Sequence, residues 1–467
     1  MKLFNTASRQ KETITAQKDN LIRMYTCGPT VYNFAHIGNL RTYIFEDLLR
    51  RTLKFFGFKV EQVMNLTDVD DKTIKGAIEK NITLDQYTAP YTQAFFEDLA
   101  SLGIEKVEHY PKATDYIPEM ISLIETLIKK GHAYTGKDNS VYFSISSFHT
   151  YGKLSHLNLE DLKVGASERD RLTQDEYDKE RIADFVLWKA YDPIRDGKIY
   201  WESPFGKGRP GWHIECSAMA MKLLGKTIDI HCGGVDNMFP HHENEIAQSE
   251  CCTGMPFVRY WAHAEHLLVD HRKMSKSLGN FYTLRDLLKK GYSPKEIRYM
   301  LLQTHYRIQL NFTFQELDAI RAALTRVHDF IRRLKEINTP DTEDTSQLLN
   351  KTKEHFDSAL ADDLNISVAL SAIFDLVREG NFLADQGLLG KKGAEKILHL
   401  LHQFDQVLNV LEPTEVTVPQ AIEDALMKRE EARKAKNFKL ADELRDFIYA
   451  QGYVIEDTKA GLRVKKK

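Results

Sequence analysis

The tightest constraint on the fold is a strand–helix–strand unit close to the N-terminus. Residues 22–27 read as a short strand, followed by a loop holding Gly28 and Pro29. A helix over 38–56 comes next. Gly57 stops it, and a second strand runs over 59–67. Two strands joined by a helix pair in parallel, so the chain should build a parallel sheet covered by helices. The pattern resumes after residue 185. A helix over 213–224 ends at Gly225, a strand covers 228–231, Gly233-Gly234 forms a loop, and a helix over 240–251 carries Pro240 in its first turn. Between the halves lies a long insertion. It holds a helix over 117–130 closed by Gly131, and a hairpin of 133–135 with 141–143 around Asp138-Asn139. Residues 160–184 carry 14 charged side chains in 25, which reads as a solvated, mobile excursion.

The C-terminal third follows a different period. Thr313 and Glu316 form a capping-box pattern, and Leu317, Ile320, Leu324, Val327, Ile331 and Leu334 then recur at spacings of three and four. That is one apolar face of a long helix. A polar linker over 338–347 precedes helices expected at 348–361, 366–378 and 394–411, and Pro413 and Pro419 bracket a second linker. The last segment reads as two basic helices and a small hairpin, 454–457 with 462–464, turning near Gly461. The fold class expected is therefore α/β: a Rossmann-like parallel-sheet domain with an insertion, then an α-helical bundle and a small C-terminal α+β domain.

Composition narrows the function classes. A length of 467 residues suggests about three or four domains. At 42% hydrophobic residues the chain is not of the disordered class. No apolar stretch approaches the roughly 18 residues of a transmembrane helix. Residues 1–20 lack an apolar signal region, so the expected compartment is the cytoplasm. Five cysteines, an odd count, do not make a disulfide framework. Residues 428–467 hold 12 Lys/Arg and 7 Asp/Glu (+5), against 52 and 60 (−8) in the remainder. Such a tail fits a polyanion contact, although a solvated tail is the commoner cause of a basic terminus.

Two motifs carry chemistry. Pro29-Thr30-Val31-Tyr32-Asn33-Phe34-Ala35-His36-Ile37-Gly38-Asn39 spans the loop between strand and helix. Gly38 permits close approach of a phosphate, and His36 and Asn39 can donate to phosphate oxygens from the start of the helix. Lys273-Met274-Ser275-Lys276-Ser277, followed by Leu278-Gly279-Asn280, makes a cationic loop able to stabilise charge on a leaving pyrophosphate. Together these strings resemble the paired HIGH and KMSKS signatures of the class I aminoacyl-tRNA synthetases. The second matches letter for letter. The first reads HIGN, with Asn39 in place of the final histidine; an amide still donates a hydrogen bond, but no general-acid role follows for position 39.

A third constellation concerns metal. His241 and Glu245 are four apart and share one helical face. Position 246 is Ile, so H-E-x-x-H is not completed and the metalloprotease reading fails. Two thiolates, an imidazole and a carboxylate make an ordinary zinc set. Cys27, after the first strand, and Cys216, in the second half, would both face the crevice where open α/β sheets bind ligands. By spacing alone only the His241–Glu245 pair is suggestive, and a surface ion cluster explains it equally well.

The strings Met24-Tyr25-Thr26-Cys27-Gly28-Pro29, Gly211-Trp212-His213-Ile214-Glu215-Cys216 and His241 to Glu245 resemble the cysteinyl-tRNA synthetases, and the likeness runs from Leu3-Phe4-Asn5-Thr6 to the final hairpin. The resemblance implies one Zn2+ on Cys27, Cys216, His241 and Glu245. It implies substrate contacts at Thr67, Trp212 and His231, each of which also has a plain structural reading. It implies ATP contacts at Gly38, Asp236 and Lys276, with catalytic stabilisation by His36, Asn39, Lys273 and Lys276. Cysteine differs from serine only by sulfur for oxygen. Pocket shape alone cannot give the roughly 10⁴–10⁵-fold rejection needed, whereas a thiophilic zinc can favour a substrate thiolate. Cys232, Cys251 and Cys252 are expected to be structural.

The domains implied are two halves of the catalytic domain at 1–115 and 201–270, a connective insertion at 116–200, and a KMSKS and stem-contact region at 271–312. A helical tRNA-binding bundle follows at 313–412, and a basic anticodon-binding domain at 420–467. The expected partners are ATP with Mg2+, L-cysteine and tRNA(Cys), with no membrane, and the expected state is a monomer. Two competing readings are a ligase joining cysteine to an amino-sugar and a non-catalytic RNA-binding paralogue. The long helical region and basic tail argue against the first. The intact lysines and complete metal set argue against the second.

Overall fold

The computed structural model describes residues 1–156, 184–275, 278–413, 419–458 and 461–466. It comprises two compact units, Met1–Leu411 and Glu412–Lys467. The first unit opens with an antiparallel hairpin of β1 (Lys2–Asn5) and β2 (Gln10–Thr13). The strand–helix–strand unit follows as β3 (Leu21–Thr26), α1 (Ile37–Phe55) and β4 (Lys59–Met64). Two helices come next, α2 (Asp71–Lys80) and α3 (Leu84–Ser101), each started by a capping box, Asp70 with Thr73 and Thr83 with Gln86. The insertion contributes α4 (Ile117–Lys129) and the antiparallel strands β5 (Ala133–Thr135), β6 (Val141–Phe143), β7 (Phe185–Ala190) and β8 (Gly208–Pro210), in that spatial order. Of the charged stretch 160–184, only Asp184 lies within the described residues.

The chain then re-enters the sheet through α5 (Trp212–Leu224), β9 (Ile228–Gly234), α6 (Glu243–Thr253) and β10 (Val258–Ala264). All four central strands are parallel in the order β10-β9-β3-β4. The chain moves outward in opposite directions from β3 and from β9, so the strand order reverses between these neighbours. Their carboxyl ends open the crevice where such sheets bind ligands. Side chains alternate across β3. Ile22 and Met24 join one buried core with Leu40 and Ile44 of α1, whereas Tyr25 joins a second core with Ile214 and Met219 of α5. The sheet thus has a buried core on each face.

One expectation needs correcting. Pro240 does not sit in the first turn of a regular helix. Met238–His242 form a widened turn in which Phe239 is extended (φ −136°, ψ 130°), and regular helix starts at Glu243. The break reorients His241 relative to a simple helical projection. The strand expected to reach residue 67 also ends earlier, at Met64, and Thr67 instead bridges to Thr30.

Helices at Phe314–Glu336, Ser346–Ala361, Ile366–Asp385 and Lys391–Leu408 follow. The six apolar positions read from the sequence of the first are all buried, and Thr313 caps it. The second unit holds helices Gln420–Lys434 and Phe438–Ala450 and an antiparallel hairpin of Tyr453–Thr458 with Gly461–Lys466. Gly461 pairs with Thr458 at the turn end of that hairpin.

Candidate active site and metal centre

A cavity of about 280 Å³ opens at the carboxyl ends of β3 and β9. Cys27, Asn39, Thr67, Trp212, Cys216, Asp236 and His241 all line it. Residues from positions 27 to 241 thus meet in one place. Thr42, Tyr43, Asn65, Lys72 and Asn237 line it too and were not anticipated. Thr42 and Tyr43 had a signal, because they lie three and four residues after Asn39 on the same helical face.

At one end of the cavity the ligand atoms of Cys27, Cys216, His241 and Glu245 all lie within 4.8 Å of one another. A tetrahedral zinc with bonds of about 2.0–2.3 Å spaces its donors by about 3.3–3.8 Å, so the set fits such an ion in chemistry and in scale. Three of the four side chains are at most 1% exposed, and Cys27 is 8% exposed. Buried charges need partners. Burial alone would raise the Glu245 carboxyl, but His231 and His241 bring it down to about 2. Burial alone would lower His241, yet Glu245 and Cys216 lift it to about 10. A hydrogen bond with Cys27 brings the Cys216 thiol down to about 6, and the same bond pushes the Cys27 thiol up. A thiolate and a carboxylate facing one imidazolium leave an excess of negative charge, which suits the set to a divalent cation.

His231 stands behind this set, not on the cavity wall. Its Nε2 lies 3.0 Å from Glu245 Oε2, and His241 Nε2 lies 3.0 Å from Glu245 Oε1. His213 Nδ1 is 2.9 Å from His241 Nδ1, and Trp212 stacks on the His241 ring at 4.3 Å between centroids. Trp212 is 42% exposed and walls the cavity beside the donor set. Cys27, His231, His242 and Glu245 form a second compact set that shares two members with the first. His231 and His242 do not line the cavity. Cys232 is buried on β9, with its thiol pushed up by burial, and Cys251 is pushed up to about 12 by burial. None of Cys232, Cys251 and Cys252 belongs to either donor set.

The other end of the cavity is built on the start of α1. His36 is the N-cap. Its Nδ1 accepts the Asn39 backbone N–H at 3.2 Å, while Asn39 Oδ1 accepts the His36 backbone N–H at 3.2 Å. Burial lowers the His36 pKa, opposed by Asp236, so the ring is neutral near pH 7. With Nδ1 accepting, its proton sits on Nε2. With Oδ1 engaged, the Asn39 NH₂ is the group left to donate. The second motif reaches this point. Ile37 N–H donates to the Tyr282 carbonyl at 3.0 Å, and the His36 ring meets Phe281 at 5.3 Å. A Cβ at position 38 would stand 3.0 Å from the His36 ring and 3.4 Å from Met274 Cε, so Gly38 leaves room chiefly for the His36 cap, with Met274 close by. Asn280 braces the loop by accepting from Ser275 N–H at 2.8 Å and donating to the Lys273 carbonyl at 3.2 Å. Lys273 is exposed, and Lys276 lies outside the described residues.

A parallel sheet with its site at the strand reversal, and two nucleotide motifs meeting beside it, define a class I aminoacyl-tRNA synthetase. Residues 13–322 match the family described as "tRNA synthetases class I (C) catalytic domain", and residues 355–412 match the DALR domain. Solved structures of the same fold include the methionyl-tRNA synthetase of Mycobacterium tuberculosis bound by methionyl-adenylate. Its TM-score is 0.61 at 12% identity, covering 83% of this chain and 92% of that one. The cysteine–tRNA ligase of Protochlamydia amoebophila is 61% identical over 100% of this chain and 98% of its own length. That of Chlamydia pneumoniae is 56% identical over 99% and 97%. The chain belongs to the cysteine–tRNA ligase family. Among the described residues, no helix is long and apolar enough to cross a membrane.

Proposed function

We propose that the chain activates L-cysteine with ATP and transfers it to the 3′-terminal adenosine of tRNA(Cys), with Cys27, Cys216, His241 and Glu245 holding one Zn2+. The observation that carries this reading is the meeting of that donor set and the start of α1 in one cavity. When bound, zinc supplies a thiophilic Lewis acid that prefers a thiolate to a hydroxyl. The first donor set is favoured over the second because its own members Cys216 and His241 line the cavity, whereas His231 and His242 do not.

Trp212 and Thr67 flank the cysteine, and Asp236 faces the nucleoside. The cysteine carboxylate attacks the α-phosphate of ATP, the bond to the β-phosphate oxygen breaks, and pyrophosphate leaves with Mg2+. The His36 Nε2–H, the Asn39 NH₂ and the ammonium groups of Lys273 and Lys276 donate to the developing negative charge. Gly38 keeps the loop clear for the triphosphate. The ribose hydroxyl, taken to be the 2′ group, then attacks the adenylate carbonyl and AMP leaves. The helical region and the basic second unit contact the tRNA mainly through its phosphates. The protein works as a cytoplasmic monomer.

Metal analysis tests the centre. The full chain should bind one zinc, Cys216→Ala should lose it, and His242→Ala should keep it. Retention by Cys216→Ala with loss from His242→Ala would move the ion to the second set.

A further inference from the structure

A row of aromatic rings and cations leads away from the cavity. Lys72 lines the cavity, and its ammonium lies 5.1 Å from the Tyr32 ring centre. Tyr87 donates its hydroxyl to the Tyr32 carbonyl at 3.2 Å. Its ring meets Tyr91 at 5.6 Å, and Tyr91 meets Phe34 at 5.5 Å, both edge-on. The Arg285 guanidinium lies 4.9 Å from the Phe34 ring centre. The row therefore starts at α2, passes the loop before α1 and ends in helix Leu284–Lys289, just beyond the second motif.

The row is built to hold its shape. A Cβ on Gly76 would stand 2.1 Å from the Tyr87 ring, so that ring lies directly on α2. Arg285 is fixed by Asp98 at 2.5 Å and Glu97 at 2.9 Å. Apart from Tyr87, which is buried, the row is open to solvent. Phe34 is 41% exposed, Tyr32 and Tyr91 are half-buried, and Lys72 is exposed. Singly exposed aromatics are ordinary. Connected rings with cations at either end, opening into a catalytic cavity, have the composition of a single-strand stacking platform.

We propose that this row receives the single-stranded 3′ end of the tRNA, with bases stacking on Phe34 and Tyr91 and a backbone phosphate at Lys72. The proposal rests on tRNA being the acceptor. The reacting ribose must reach the cavity, so the nucleotides before it must cross a surface continuous with the cavity mouth, and this row is such a surface. Stacking carries no base code, which suits an end that serves every acceptor alike.

The test measures binding of the full chain to intact tRNA(Cys) and to the same tRNA lacking its last four nucleotides. Loss of one stacked base weakens binding roughly tenfold. Tyr91→Ala and Phe34→Ala should each bind intact tRNA roughly tenfold more weakly than the wild type, yet bind the shortened tRNA equally well. Phe34→Trp should keep the affinity for both. Variants that match the wild type on intact tRNA, or that weaken equally on both RNAs, would overturn the proposal. Cysteine-dependent ATP–pyrophosphate exchange by Tyr91→Ala, expected at the wild-type rate, reports that the fold is intact. Absence of exchange in the wild type would count against the cysteine-activation reading and leave the binding comparison to stand by itself.

Discussion

At the scale of single residues, the proposed function gives one side chain of the first motif two jobs. Asn39 Oδ1 closes the cap of α1, and the residue also lines the cavity. The sequence told us only that an amide had replaced a histidine; the division of labour between its two ends depends on the cap geometry. Asn39→Ala removes both. Removal of a single charge-stabilising donor commonly costs about 10²-fold in turnover, so exchange should fall by about that factor. The cap should cost about 1 kcal/mol, visible as a small drop in thermal midpoint. A variant with normal exchange would confine Asn39 to capping. His231 teaches the opposite lesson: expected as a substrate contact, it stands behind Glu245 and off the cavity wall, a placement that the sequence pattern does not reveal.

Between elements, close approach sets the site. A Cβ on Gly28 would stand 1.8 Å from the Asn65 carbonyl oxygen, so the end of β3 lies against the segment after β4. Gly28→Ala should push Cys27 away from its partners. A displacement of about 1 Å can cost about 10²-fold in rate. Exchange should fall on that scale and zinc retention should weaken, with the circular dichroism spectrum unchanged; full zinc retention and activity would refute the crowding argument. The regular elements were legible where the period was strong, as in α1, the hairpin of β5 and β6, and the helix Phe314–Glu336. The broken turn Met238–His242 was not, since Pro240 at a helix start and Pro240 inside a kink look alike in sequence. Helices α2 and α3 were missed although Asp70 and Thr83 both offer caps. Lys72 of the cavity was missed with them.

For the whole molecule, one buried guanidinium ties the first half of the sheet domain to the helices that follow. Arg298 donates to Asp47 at 2.5 Å, to the Leu408 carbonyl at 2.7 Å and to the Leu102 carbonyl at 3.1 Å. Burial alone would raise the Asp47 carboxyl, but Arg298 and Arg51 hold it below its ordinary value. A carboxyl depressed in this way stabilises the fold above about pH 4, and that contribution is lost as pH falls through the depressed value. Asp47→Asn leaves Arg298 without its charge partner and should cost about 3–5 kcal/mol near pH 7, with a smaller penalty in acid. Thermal melts at the two pH values check this, and an equal penalty at both would remove Asp47 ionisation from the account. Deleting residues 420–467 should raise the KM for tRNA and leave cysteine activation near normal, and lost activation in a folded truncation would contradict the division of roles. The central claim is that the donor set at the end of the cavity chooses cysteine. The most direct measurement is ATP–pyrophosphate exchange with cysteine, with serine, and with cysteine after zinc is chelated. The account predicts exchange with cysteine alone, abolished by chelation and restored by added zinc. Comparable exchange with serine, or exchange that survives complete zinc removal, would contradict it.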